Sequence, residues 1–294
     1  MSTNPSAPVV VGVDGSDSSL AAVRVAVREA AYHGRPLRVV HAFVWPMVHV
    51  PMAGLPGATP DAGLRHDAEQ LVRDAVAEAN KLEPEVPVTG DLVIGGAAAI
   101  LVAESRDAAL VVVGDRGLGG FTGLLIGAIA VQLAAHGACP VLVVRGEEHP
   151  DGPVVVGVDG SPTSDAATAV AFEEADARHA PLVAVQFWTG PVPTGPGDML
   201  PLVYDYDAVE ADEVRLLAES LAGWRERYPD VPVDRRVVRG HPAPGLIEES
   251  AQAQLVVVGA RGRGGFAGLL LGSVSQALIH HAQCPVTIVR PARH

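Results

Sequence analysis

Val9-Val10-Val11-Gly12-Val13-Asp14-Gly15-Ser16 returns 145 residues later, unchanged, as Val154-Val155-Val156-Gly157-Val158-Asp159-Gly160-Ser161. A continuous β-branched run of this length reads as a strand buried on both faces, and Asp-Gly-Ser after it is turn and helix-capping chemistry. The same offset relates Leu110–Gly114 to Leu255–Gly259, Gly127 to Gly272, Cys139 to Cys284 and Arg145 to Arg290, so no net insertion separates the copies. Two domains of one fold follow. Their expected spans are 1–146 and 154–294, joined by a polar, Pro/Gly-rich linker at 147–153. A chain of 294 residues suits that division, since one domain takes roughly 150.

Within the first copy, apolar runs alternate with amphipathic stretches of helical length. Strands are expected at 9–13, 37–42, 87–94, 109–113 and 140–144, with helices at 17–33, 62–82, 97–106 and 124–136 between them. Strands without polar alternation need cover on both faces, so the fold class is α/β: in each domain a five-stranded parallel sheet, doubly wound, with helices on both faces. Ligands of such sheets bind beyond the carboxyl ends of the strands, where the strand order reverses. Asp14 and Asp159 each follow a first strand. If the fourth strand lies beside the first, the glycine-rich segments beginning at Gly114 and Gly259 open onto the same crevice.

The second of those segments reads Gly259-Ala-Arg261-Gly262, nine further residues, then Gly272-Ser273-Val274-Ser275. Glycines let backbone approach an anion closely, and the open N–H groups of a helix start supply donors, so the pattern suits phosphate. Ser273 and Ser275 add hydroxyls. The plain alternative is a glycine-rich turn that only reverses the chain. Gly-x-x-Gly, nine residues, Gly-Ser, together with the Val-Gly-Val-Asp-Gly-Ser opening, closely resembles the ATP-binding branch of the universal stress protein family, and the resemblance covers both copies. It implies Rossmann-like domains of strand order 3-2-1-4-5, with ATP across the carboxyl ends of the first and fourth strands. By the same resemblance, Asp14 and Asp159 help to hold the adenosine, and Ala42 and Phe187 stand where backbone meets adenine. Gly259, Gly262, Gly272 and Ser273 match the phosphate and ribose cradle. Gly114, Gly117 and Gly127 match it in the first copy, but Ala128 and Ala130 replace both serines. The second site is therefore expected to be the stronger. Arg116, Arg261 and Arg263 lie within the loops and read equally as phosphate ligands or as solvated charges.

Other readings narrow the function. A net charge of −13 repels nucleic acid and anionic membrane surfaces. No apolar run reaches the roughly 18 residues of a spanning helix, and the N-terminus lacks the order of a signal peptide, so a cytoplasmic protein is expected. Cys139 and Cys284 sit before Pro-Val strands with no ligand spacing and read as buried structural thiols. No histidine pair has metal-ligand spacing. With Lys81 as the sole lysine, no P-loop is possible, and neither a nucleophile elbow nor a kinase motif set occurs. Asp14 or Asp159 offers a carboxylate to Mg²⁺. One carboxylate beside an N–H-rich cradle describes a binding site better than a hydrolytic one. The reading is therefore an ATP-binding regulatory protein, with the long connections at 43–61 and 188–206 as lids over the crevice. The alternative is a slow ATP-hydrolysing or adenylating enzyme of the related fold, although the Ser-Gly-Gly-x-Asp-Ser loop usual there is absent. The resemblance also implies that the final strands, 141–144 and 286–289, pair across a pseudo-twofold and that two chains dimerise.

Overall fold

The computed structural model describes residues 6–44, 60–117, 128–190, 205–263 and 270–291. The chain divides into two compact units, Met1–Val144 and Arg145–His294. Unit 1 runs β1 (Val9–Val13), α1 (Asp17–Tyr32), β2 (Leu37–Phe43), α2 (Pro60–Leu82), β3 (Val88–Ile94), α3 (Ala97–Glu104), β4 (Leu110–Gly114), α4 (Ala128–His136) and β5 (Val141–Val144). Its strands are parallel and ordered β3-β2-β1-β4-β5. Unit 2 repeats the pattern with β6 (Val154–Val158), α5 (Pro162–Ala177), β7 (Leu182–Trp188), α6 (Tyr206–Arg227), β8 (Val233–Arg239), α7 (Pro242–Glu249), β9 (Leu255–Gly259), α8 (Ser273–His281) and β10 (Val286–Val289), ordered β8-β7-β6-β9-β10. The expected strand order thus holds in each unit.

The strand sequences explain the layering. β1, β4, β5, β6 and β9 are mostly valine and leucine and buried almost throughout, as is the Val-Thr-Ile-Val of β10, whereas the outermost β3 and β8 carry Asp, Arg and Thr and stay largely exposed. The turn out of each first strand is fixed locally. Gly15 and Gly160 take φ of 88° and 69°, a region that costs other residues strain, and the next residue caps the helix. Ser16 Oγ accepts the Ser19 N–H at 3.1 Å and Ser161 Oγ the Ser164 N–H at 3.2 Å. Such caps contribute about 1 kcal/mol each.

The stretch read as a linker is stitched to unit 2. The Glu147 N–H donates to the Gln283 carbonyl at 2.9 Å, Gln254 Nε2 donates to the Gly152 carbonyl at 2.6 Å, and the Gln254 N–H donates to the Pro153 carbonyl at 3.0 Å. Just before it, the Arg145 guanidinium donates to the Leu278 and His280 carbonyls at 3.1 and 2.9 Å, capping the C-terminus of α8.

Candidate functional site

In unit 1, β1 and β4 are neighbours, so the turn after each opens on one crevice. A cavity of about 240 Å³ lies there. Val13, Val40, Ala42 and Val113 line it from the strands, Ala97 and Leu101 from α3, and Ala128, Ile129 and Ala130 from the start of α4. Its polar edge is short. Asp14 Oδ1 accepts the Ser16 N–H at 3.0 Å and the Ser16 hydroxyl at 2.7 Å, which orients the carboxylate beside the loop that follows β4. Gly117 belongs to that loop, and a Cβ on it would come within 2.4 Å of Asp14 Oδ2. Asp115 joins the same edge: Oδ1 accepts the Ser18 hydroxyl at 2.8 Å, and Oδ2 lies 3.4 Å from Arg116 Nε. The Asp115 side chain is only 13% exposed, against 73% for Arg116.

Unit 2 builds the equivalent place with different polar groups. Asp159 bridges the two turns, Oδ1 accepting the Ser161 N–H and Oδ2 the Arg263 N–H, each at 2.9 Å. A Cβ on Gly262 would fall 2.3 Å from Asp159 Oδ2, so glycine is required for the loop to lie against the carboxylate. The Thr163 hydroxyl donates to the Arg261 carbonyl, and Arg263 Nη2 donates to the Gly160 carbonyl at 3.2 Å. Arg263 therefore braces the turn, whereas the Arg261 side chain is exposed. Gly272 is the N-cap of α8; its N–H donates to the Ala260 carbonyl at 2.8 Å, and no side chain among the described residues caps the helix. The N–H groups of Ser273, Val274 and Ser275 are then first-turn donors without intrahelical acceptors, at the positive end of the helix dipole.

Most residues singled out from the sequence converge on these two crevices, but their side chains differ in what they offer. Ser273 is exposed at the start of α8. Ser275 is buried, and its hydroxyl donates to the Gly259 carbonyl at 2.7 Å, tying α8 to β9. Its proton is thus committed within the protein. Ala42 lines the unit 1 cavity, while the ring of the equivalent Phe187 lies over α7, where a Cβ on Gly245 would be 2.2 Å from Cε1. Unit 1 has Ile100 at the place of Gly245, so Ala42 with Ile100 and Phe187 with Gly245 are a small–large exchange filling one space. Gly127 lies outside the described residues, as do 45–59 and 191–204, the bulk of the two connections read as lids. Sequence reading passed over Asp115. Its signal is the first break in identity after Leu-Val-Val-Val-Gly, where unit 2 has Ala260.

Two parallel α/β units, each with a glycine-walled crevice beyond its first and fourth strands, define a tandem Rossmann-like protein. The chain belongs to the universal stress protein family, whose sequence model matches residues 6–145 and again 152–290. A universal stress protein of Mycolicibacterium smegmatis is 42% identical over 294 residues, spanning 96% of this chain and 97% of its own. One of Mycobacterium tuberculosis is 42% identical over 303 residues and 98% of each chain. The crystal structure of a universal stress protein from Archaeoglobus fulgidus shares the fold, with a TM-score of 0.69 over 98% of both chains at 16% identity. No helix among the described residues is long and apolar enough to cross a membrane.

Proposed function

We propose that this chain is an ATP-binding regulatory protein of the stress response, holding nucleotide at the carboxyl ends of the first and fourth strands, more strongly in unit 2 than in unit 1. The observation that carries the reading is the start of α8: three first-turn N–H groups, uncapped by any side chain among the described residues, follow Gly272 beside the Gly259–Gly262 loop. An anionic phosphate satisfies such donors and is favoured by the helix dipole. Ser273 adds an exposed hydroxyl, and Asp159 stands across the crevice for the ribose. Both Asp159 oxygens already accept backbone N–H bonds. That supports a positioning role over a general base, and holding without efficient turnover. Mg²⁺ would accordingly enter on the phosphates rather than on Asp159. Unit 1 lacks the serine hydroxyl; one hydrogen bond to a charged acceptor is worth about 1.5–3 kcal/mol, or roughly ten- to a hundredfold in affinity. A cytoplasmic homodimer completes the proposal, and light scattering on the purified chain tests the dimer.

The test of nucleotide binding is to purify the chain without added nucleotide, denature it, and quantify the released ATP, ADP and AMP by chromatography, alongside Asp159→Ala and Asp14→Ala. About one ATP per chain, lost with Asp159→Ala and kept with Asp14→Ala, is the expected result. Mostly ADP or AMP would turn the reading toward an enzyme. No nucleotide, followed by no binding on titration with ATP and Mg²⁺, would reduce the glycine loops to structural turns.

A further inference from the structure

The two crevices differ in charge as well as in hydroxyls. At the mouth of the first stand Asp14, Asp115 and Arg116, two carboxylates against one guanidinium. At the second stand Asp159, Arg261 and Arg263, one carboxylate against two guanidiniums. The formal sums are −1 and +1. Asp115 against Ala260 makes half of that difference and Arg263 against Leu118 the other half, and Asp115 acts from a fixed position. Its N–H is held by the Val144 carbonyl at 3.0 Å, as the Ala260 N–H is held by the Val289 carbonyl at 2.7 Å, so both residues leave their fourth strand at the same register. The Ser18 hydroxyl then anchors the carboxylate, and Arg116 lies against it, which occupies the one guanidinium at this edge. Arg261 has no carboxylate beside it in sequence, because Ala260 stands there.

We propose that Asp115 is the residue that sets ligand charge in unit 1, making its cavity a site for an uncharged adenine nucleoside in preference to the triphosphate. This rests on the reading of both crevices as adenine-nucleotide sites. Three observations support it together: the mostly buried, anchored carboxylate on the cavity edge; the two alanines at the start of α4 where unit 2 has serines; and a cavity of about 240 Å³ with mostly apolar walls. That volume falls below the roughly 300–1,000 Å³ usual for small-molecule sites, which favours the smaller ligand. A phosphate about 4 Å from a fixed carboxylate loses about fivefold in affinity at an effective dielectric of about 80 and several hundredfold at about 20, so tenfold is a lower-end expectation, and an uncharged ribose loses nothing by this route.

The test is calorimetric titration of the nucleotide-free full chain with ATP and, separately, with adenosine, for the wild type, Asp115→Asn and Ala260→Asp. Asn keeps an oxygen for the Ser18 hydroxyl while removing the charge. Thr163 stands at the place of Ser18, and its hydroxyl, which donates to the Arg261 carbonyl, must turn from that oxygen to anchor an Asp at position 260. The expected results are one ATP per wild-type chain, a second ATP site gained or strengthened about tenfold in Asp115→Asn, and ATP weakened about tenfold in Ala260→Asp. Adenosine affinity should stay within about twofold in both variants. Equal ATP binding in both units of the wild type, unmoved by Asp115→Asn, overturns the proposal and leaves the nucleotide reading intact. Loss of adenosine and ATP alike in Ala260→Asp also overturns it, since charge discrimination spares the nucleoside. No binding of either ligand to the wild type removes the nucleotide reading itself, and the proposal with it.

Discussion

The crevices of unit 1 and unit 2 share the glycines that hold their first strands and loops, Gly12 with Gly157 and Gly117 with Gly262, and differ at several side chains around the opening. A Cβ on Gly12 or Gly157 would come within 3 Å of Leu101 or Leu246, and one on Gly117 or Gly262 within 3 Å of Asp14 or Asp159. Those pairs are identical in both copies. Asp115, Ala128 and Ala130 against Ala260, Ser273 and Ser275 are not. The contrast separates what shapes the backbone from what faces the opening: the glycines cannot change without moving a neighbour, Asp115 and Ser273 can change while the fold stays, and Ser275 belongs with the first kind because its hydroxyl donates to the Gly259 carbonyl.

The sharpest way to break this comparison is to look where the units should agree. Burial pushes the thiols of Cys139 and Cys284 up to about 12 from 9.0. Each should therefore react with iodoacetamide roughly a thousandfold more slowly than a free thiol near neutral pH. Mass spectrometry of timed samples should find the two sites equally silent until denaturant is added; one fast site would mean that the units differ in packing too. The next largest effect separates them. Gly262→Val forces the loop off Asp159 and should lower ATP affinity more than about a hundredfold, whereas Gly117→Val should leave the tight ATP site untouched. Equilibrium dialysis with labelled ATP distinguishes these outcomes.

Smaller effects sharpen the contrast. Ser273→Ala should weaken ATP binding about ten- to a hundredfold, and the reverse change, Ala128→Ser, should strengthen unit 1 by less because Asp115 remains. Titration of both variants checks the asymmetry. The smallest effect concerns pH. His280 is held below the ordinary histidine range, chiefly by burial and then by the charges of His281 and Arg145, while unit 1 has Ala135 at this place. The unfolded chain therefore takes up this proton at higher pH than the folded one. Stability present above the ordinary histidine value is lost as pH falls from about 7 toward 5. Urea midpoints should fall over that window, and His280→Gln should flatten the slope; an unchanged slope would assign it to other groups.

The strands and helices were legible because valine runs and amphipathic stretches alternate without ambiguity, and the internal repeat let each copy check the other. Asp14 and Asp159 were legible as crevice residues because topology alone places the end of the first strand there. What stayed hidden depended on rotamers and partners. Nothing in the spacing of Ser273 and Ser275 says that one hydroxyl is exposed and the other donates to Gly259. Phe187 beside Trp188 does not announce that its ring lies over Gly245. Asp115 was visible only as a mismatch, since whether a residue just past a strand faces the crevice or the solvent is decided by the turn and by Ser18.

The stitching of residues 145–153 bears on how the chain can be taken apart. A fragment begun at Val154, the natural choice from the repeat, discards the Arg145 guanidinium from the last carbonyls of α8 and frees the Gln283 carbonyl from Glu147. The helix so unsealed is the one whose opposite end faces the crevice. A second copy expressed alone should therefore carry the tail of the first as its own leader, starting at Arg145, because the seam between gene halves and the seam between folded bodies fall at different residues.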